Sequence, residues 1–448
     1  MSNKTDSTVR AKNSQPAMGK GVVTMVNVAR LLLAVVLILS GFVKAVDPLG
    51  TQYKIQDYLE ALHMGGLLPD VATLAVSVGL SALEFCLGIF LLFAIRRRLV
   101  SRLVLALMLV MTPLTLWLAV ADPISDCGCF GDAVVLSNWQ TFWKNVVLLT
   151  AAAIVAWRPK AMFRFVSESN QWIVINYSIL FALAVSGWSL YDLPPFDFRP
   201  YHVGANIREG MEIPEGAEQP QFETTFIMEK DGVRQEFTLD DYPDSTWTFV
   251  DSKTVQTSEG YVPPIHDLSM ISEDGDDLTE EVLGYGGYVF LLVSPHLETA
   301  DDARLDQINE LYEYSREHRY PFYCLTASTE KAIGHWRDIT GAEYPFCATD
   351  AITLKTIVRS NPGLLLLRDG VVIGKWSHNR LPVISEEESQ QPLEQLPIGR
   401  LTQDSVPSKI LKLLLWFVLP LALLTIADRT WMWTRWLRRR KRVKTDNE

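Results

Sequence analysis

Six stretches of this chain are apolar almost without interruption: Met25 to Val46, Val71 to Ile95, Leu99 to Val120, Phe142 to Trp157, Trp172 to Tyr191 and Ile410 to Ile426. A helix needs about 20 such residues to cross roughly 30 Å of hydrocarbon, so the pattern predicts six membrane-spanning helices. Between the fifth and sixth the pattern changes. FIMEKDGVRQEFTL at Phe226 to Leu239 alternates on either side of an Asp-Gly pair, a hairpin signal. YVFLLVSPH at Tyr288 to His296 predicts a strand, followed by helical ARLDQINELYEYSREH, strand PFYCLTAS, helical TEKAIGHWRDITG, then YPFCATD and a helix from Ile352 to Arg359. SNPGLLLLRDGVVIGKW closes the series as a hairpin turning at Asp369-Gly370. Strand and helix alternating at these lengths predict an exported α/β domain beside a membrane all-α helical bundle.

Charge orients the spans. Basic residues concentrate at Lys4 to Lys20, Arg96 to Arg102, Arg158 to Arg164 and in RTWMWTRWLRRRKRVK near the C-terminus, whereas acidic residues lie mostly between Asp192 and Asp404. With the N-terminus cytoplasmic, every basic cluster falls on the inner side, as the positive-inside rule requires. The first span reads as an anchor, being long for a cleaved signal. The expected protein is therefore multi-pass in the cell inner (cytoplasmic) membrane, its large domain periplasmic and both termini cytoplasmic. Membrane lipid is one expected partner. The net charge of −11 over 448 residues argues against nucleic acid.

The expected organisation is a cytoplasmic segment at 1–21, a four-helix membrane domain at 22–158, a fifth span at 172–191, a β-rich extension at 192–265, an α/β domain at 266–380, a solvated linker at 381–408, a sixth span at 410–426 and a basic tail at 427–448.

The candidate chemistry lies in the short SDCGCFGD loop between the third and fourth spans, on the expected outer side, where Cys127 and Cys129 flank Gly128. Oxidising conditions there make cysteines disulfide candidates. A bridge needs Cα atoms roughly 4.4 to 6.8 Å apart, which residues two apart reach only through the bend that glycine permits. Three readings stay open: an exchanging redox pair, since a strained bridge exchanges readily, a static strap, or a metal ligand pair. Metal is the weakest, for two ligands do not complete a tetrahedral set and no histidine is near.

Ionisable residues in lipid usually find partners. Glu84 lies deep in the second span and Arg30 approaches from the inner end of the first, so a buried Glu84 to Arg30 pair is expected. Lys44, near the outer end of the first span, is a candidate thiolate stabiliser for the cysteine pair, with snorkelling to the interface as its alternative. Cys86 reads as a small core residue. Cys324 and Cys347 lie on strands expected to be neighbours and are either a disulfide or separate core cysteines.

DCGCFGD followed by SNWQTFWKN at Ser137 to Asn145 resembles the MauE-type branch of the DoxX superfamily of four-helix membrane proteins. The first span ends in the S-G-x-x-K of Ser40, Gly41 and Lys44, and LEFCLGIFLL at Leu83 to Leu92 is similar to the superfamily's second helix. The resemblance covers about residues 22 to 158. It implies envelope thiol-disulfide redox or protein maturation, with an envelope protein partner or redox client. It also implies thiol or quinone-linked redox chemistry, a quinone being the candidate cofactor, and the fold is similar to the vitamin K epoxide reductase-like bundles that oxidise exported thiols. This chain departs in carrying C-x-C and no C-x-x-C in its bundle. Residues 266 to 380 resemble a TlpA-type thioredoxin-like domain, Pro362 matching the family's cis-proline, but SPHLETA stands where that family has C-x-x-C. His296 lies beside the vacant position. The favoured reading is an envelope redox component using Cys127 and Cys129. The rival is a non-enzymatic scaffold in which the loop bridge is structural and the exported domain binds a partner.

Overall fold

The computed structural model describes residues 19–124, 127–214, 216–217, 221–230, 233–237, 248–258, 260–401 and 406–445. They form two compact units, one of 1–199 with 403–448 and one of 200–402.

The first unit is helical: α1 Lys20–Val46, α2 Pro48–Ala61, α3 Asp70–Phe93, α4 Arg97–Ala121, α5 Asn138–Trp157, α6 Gln171–Tyr191 and a C-terminal helix Val406–Thr445. Five of these are long and apolar enough to cross a membrane: α1, α3, α4, α6 with the turn before it, and the C-terminal helix. The chain is a multi-pass membrane protein. The expected fourth span is the later part of α5, which begins earlier, at a capping box of Ser137 and Gln140. Its first two turns carry Asn138, Lys144 and Asn145, and the Asn145 amide donates to Thr115 Oγ1 of α4 at 3.2 Å.

The pattern of apolar runs missed α2, which is too short and too polar to span. Its start is legible in retrospect, because Asp47 caps Gly50 N at 2.9 Å and Pro48 occupies the first turn. α2 lies along the start of α3, where the Gln52 amide donates to Asp70 O and Thr73 Oγ1 at 3.0 and 3.1 Å. Ser77 Oγ donates to Pro48 O at 2.7 Å, so the first two turns of α3 extend past the end of α1.

In the second unit, β1 Gln221–Lys230, β2 Val233–Phe237 and β3 Thr248–Ser258 make a three-stranded antiparallel sheet in the order β2-β1-β3. β1 and β2 are the predicted hairpin; the Asp231-Gly232 turn lies outside the described residues. A six-stranded sheet follows, built from β4 Ile271–Ser272, β5 Tyr288–Ser294, β6 Phe322–Thr326, β7 Phe346–Ala348, β8 Gly363–Arg368 and β9 Val371–Ser377, in the order β4-β7-β6-β5-β8-β9. β5, β6 and β7 are parallel, with helices Leu305–Glu317 and Glu330–Thr340 in the crossovers. β8 runs antiparallel to β5 and turns into β9 through Asp369 and Gly370, both at positive φ (51° and 76°) as a two-residue hairpin requires. Asn361–Pro362, just before β8, is a cis peptide bond. This is a mixed α/β domain of thioredoxin-like arrangement.

The domain is larger than 266–380. Residues 204–206 pair with the edge of β9 through Gly204 N to Val372 O at 2.7 Å and Val372 N to Ala205 O at 2.9 Å. The expected linker at 381–408 is folded as far as residue 401. Leu381, Leu393 and Leu396 are buried in the sheet's core, and Tyr288 Oη donates to Gly399 O at 3.0 Å. Apolar residues isolated among polar ones give no periodic signal, which is why this strap reads as linker in the sequence.

Candidate functional site

Two glycines bring α1 and α3 into backbone contact. A Cβ on Gly41 would stand 2.2 Å from Phe85 N, and one on Gly88 would stand 2.7 Å from Ile38 N. Small residues at such crossings are how helices approach in lipid. Ser40 and Lys44, one turn apart on the same face of α1, thereby meet Glu84. Lys44 Nζ donates to both carboxylate oxygens of Glu84, at 2.8 and 2.9 Å, and both side chains are buried. The Ser40 hydroxyl lies 2.7 Å from Glu84 Oε2 and 2.7 Å from the carbonyl oxygen of Cys129, and can donate to either.

This polar knot supports the CGCFG loop. Gly128 takes φ +64°, and a Cβ there would sit 3.1 Å from Lys54 Cγ of α2. Tyr58 Oη, also on α2, donates to Cys127 O at 2.7 Å. The bend puts Cys127 Sγ and Cys129 Sγ of the two free cysteines 3.2 Å apart, within hydrogen-bond reach and with either sulfur able to donate. Lys144 Nζ of α5 stands 4.5 Å from the centre of the Phe130 ring. Cys129 is pulled down to about 6, first by the hydrogen bond from the Cys127 thiol and then by Lys144 and Lys44, against burial and Glu84. Cys127 is pushed up, first by donating that bond and then by burial. The pair therefore loses its first proton at Cys129. In chemical terms this is a thiolate with a thiol poised beside it.

The expected Glu84 to Arg30 pair does not form. Helices α1 and α3 are antiparallel, with the start of α3 overhanging, so Glu84 meets Lys44. Arg30 is 14 residues away along α1, about 21 Å. It donates instead to Phe163 O at 2.6 Å and lies over the Phe165 ring at 5.6 Å. Sequence reasoning assigned no role to Lys144 or Tyr58; Lys144 stands inside the SNWQTFWKN stretch, which was its visible signal. Cys86 is buried in an apolar cluster with Phe85, Ile89 and Phe181.

Cys324 and Cys347 are not bridged. The parallel register sets Cys324 opposite Phe346 and Cys347 opposite Leu325, so the two thiols project from opposite faces of the sheet. Burial pushes Cys324 up and raises Cys347 to about 11. At the vacant thioredoxin position, SPHLETA is fastened by Asn361 Nδ2 donating to His296 O at 2.8 Å, Ser294 Oγ donating to Asn361 Oδ1 at 2.7 Å and Leu297 N donating to Ser328 Oγ at 2.9 Å. Among the described residues no group of three or more His, Cys, Asp or Glu is placed to hold a metal ion.

The family model described as methylamine utilisation protein MauE matches residues 22–158, the stretch that holds α1 to α5 and both thiols. Over that stretch the chain is similar to the MauE family. In the second unit, residues 222–259, which hold β2, β3 and all but the first residue of β1, match a domain of unknown function. No curated protein matches the chain. Among solved structures, a protein disulfide isomerase candidate from Bacteroides thetaiotaomicron, determined in solution, is similar at 16% identity. The match covers 28% of this chain and 82% of that one, with a TM-score of 0.23. So low a score carries no argument, and the thioredoxin-like arrangement rests on the strand order given above.

Proposed function

We propose that the MauE-type domain is a thiol-disulfide exchange component of the cell inner membrane, acting on exported protein thiols through Cys127 and Cys129. The observation that carries this reading is the 3.2 Å approach of the two sulfurs, with Cys129 as the favoured thiolate. In the reducing direction, Cys129 Sγ attacks one sulfur of a client disulfide, forms a mixed disulfide and releases a client thiolate. Cys127 then gives up its proton, and its sulfur attacks Cys129 Sγ. The Cys127–Cys129 bond forms as the Cys129–client bond breaks, the client leaves as a dithiol after taking up the Cys127 proton and one from water, and the two electrons the pair loses are those the client gains. The reverse sequence oxidises a client dithiol.

The basic clusters at Arg96 to Arg102, Arg158 to Arg164 and beyond Arg429 support an orientation with the CGC loop and residues 200–402 outside. The thioredoxin-like domain has only buried thiols among its described residues, so in this reading it recognises a partner and leaves the chemistry to the loop. The apolar cavity among the described residues does not match a quinone head group. This cavity of about 510 Å³ beside α1, α3 and the C-terminal helix is lined by carbon side chains such as Phe42, Phe85, Phe181 and Phe417 and offers no donor to a quinone carbonyl. No electron step is therefore routed through a quinone.

Trapping tests the proposal. In intact cells Cys127→Ser should accumulate mixed disulfides at Cys129, because the resolving sulfur is gone, while Cys129→Ser should not. Failure of Cys127→Ser to trap any protein, with the wild-type pair found permanently bridged, would leave the structural strap in its place.

A further inference from the structure

Three lysines approach the loop, and the two that act on the Cys129 charge, Lys44 and Lys144, are not equivalent. Lys44 is held by Glu84 through two hydrogen bonds of 2.8 and 2.9 Å, so from the sulfur its charge and the carboxylate's nearly cancel. Lys144 enters from α5 on the far side of the loop. Among the described residues it has no ion-pair partner and rests over the ring of Phe130, the residue that follows Cys129, whose carbonyl Ser40 holds. A cation over a ring face keeps its full charge and is attracted by the ring quadrupole.

We propose that Lys144, and not Lys44, is the cation that balances the reduced pair, and that Glu84 is placed to neutralise Lys44 while Ser40 ties that neutral pair to the loop. This inference rests on the exchange reading but concerns the charge state of the pair alone. The groups that face Cys129 are Cys127 on the loop, Lys44 on α1, Glu84 on α3 and Lys144 on α5, with Lys54 and Tyr58 of α2 beneath Gly128 and Cys127. The electrostatics agree: at Cys129 the stabilising effect of Lys144 precedes that of Lys44, which Glu84 opposes, and Lys144 also stabilises the anion at Cys127. A buried region that holds Lys44, Glu84 and a Cys129 thiolate carries a net negative charge, and Lys144 restores neutrality. When the pair oxidises, the thiolate charge disappears and Lys144 remains on Phe130.

The experiment is the pH dependence of alkylation at Cys129 in the full-length protein in detergent, with the pair reduced and no client present. Lys144→Met and Lys144→Gln should both raise the midpoint by about one unit, the low end for loss of a neighbouring opposite charge, and Lys144→Arg should restore it. The double variant Lys44→Met with Glu84→Gln, which removes charge in a matched pair, should leave the midpoint within a few tenths of a unit. A midpoint indifferent to Lys144, or a double variant that moves it as far as Lys144→Met does, overturns the assignment. Because alkylation needs no client, the result stands apart from trapping: a pair that never exchanges would still report its counter-ion.

Discussion

Cys129 acts on chemistry through its protonation, so its reactivity is where a residue-scale test belongs. An ordinary cysteine titrates near 8.5, and Cys129 is held at about 6. Because only the thiolate reacts, alkylation of Cys129 should stay near its plateau down to pH 7 and fall by half close to pH 6. At pH 7 the thiolate fraction exceeds that of an ordinary thiol roughly thirtyfold, yet nucleophilicity falls with pKa along a slope of about 0.4–0.5, which leaves only about a twofold gain in rate. The informative measurement is the midpoint by mass spectrometry, not the rate at one pH. A midpoint near 8.5 would remove the favoured thiolate. Gly128 sets the geometry that makes this possible. Gly128→Ala places a methyl 3.1 Å from Lys54 Cγ at φ +64°, and the left-handed backbone alone costs about 1–2 kcal/mol. The expected outcome is a loop that opens, with the Cys129 midpoint returning toward 8.5.

At the scale of elements, the α1–α3 contact decides whether the knot beneath the loop exists. Gly41→Leu would drive a side chain into the Phe85 backbone, and overpacking of this kind costs typically about 1–3 kcal/mol. The helices would separate, and Lys44, Glu84 and Ser40 would lose one another. Glu84→Gln leaves the helices in contact but strands a buried ammonium, a loss of about 3–5 kcal/mol when one partner of a buried pair is removed. Adding Lys44→Met should recover most of that loss, since a buried pair replaced by apolar or neutral groups is often close to neutral. Thermal unfolding in detergent of the two single variants and the double would show it. Equal losses in Glu84→Gln and in the double would mean that the pair does not carry the contact.

For the whole molecule, the prediction concerns which thiols the outside can reach. Cys324 and Cys347 are buried on opposite faces of one sheet, so the native full-length protein should leave both unalkylated until it is denatured, while Cys129 reacts. In a cysteine-free background, Asp274→Cys should react with an impermeant maleimide added to spheroplasts, and Thr445→Cys only after lysis. Labelling of Thr445→Cys alone from outside would reverse the proposed topology.

Five of the six expected spans, the charge pattern that flanks them, the strand-helix alternation and the Asp369-Gly370 hairpin were determined by the sequence itself, because each depends on local composition or period. The two thiols were legible for the same reason, being two residues apart around a glycine. What surrounds them was decided by tertiary structure. Glu84 finds Lys44 and not Arg30 because α3 overhangs α1 by two turns, an offset that depends on the short helix α2, which hydropathy does not detect. Lys144 and Tyr58 reach the loop from helices distant in sequence. Cys324 and Cys347 stay apart because a parallel register alternates faces, and the strap through Leu393 and Leu396 joins the core because single leucines acquire meaning only once a sheet is there to receive them. Period and composition are properties of neighbours along the chain, whereas a buried ion pair or a thiolate's counter-ion is a property of neighbours in space.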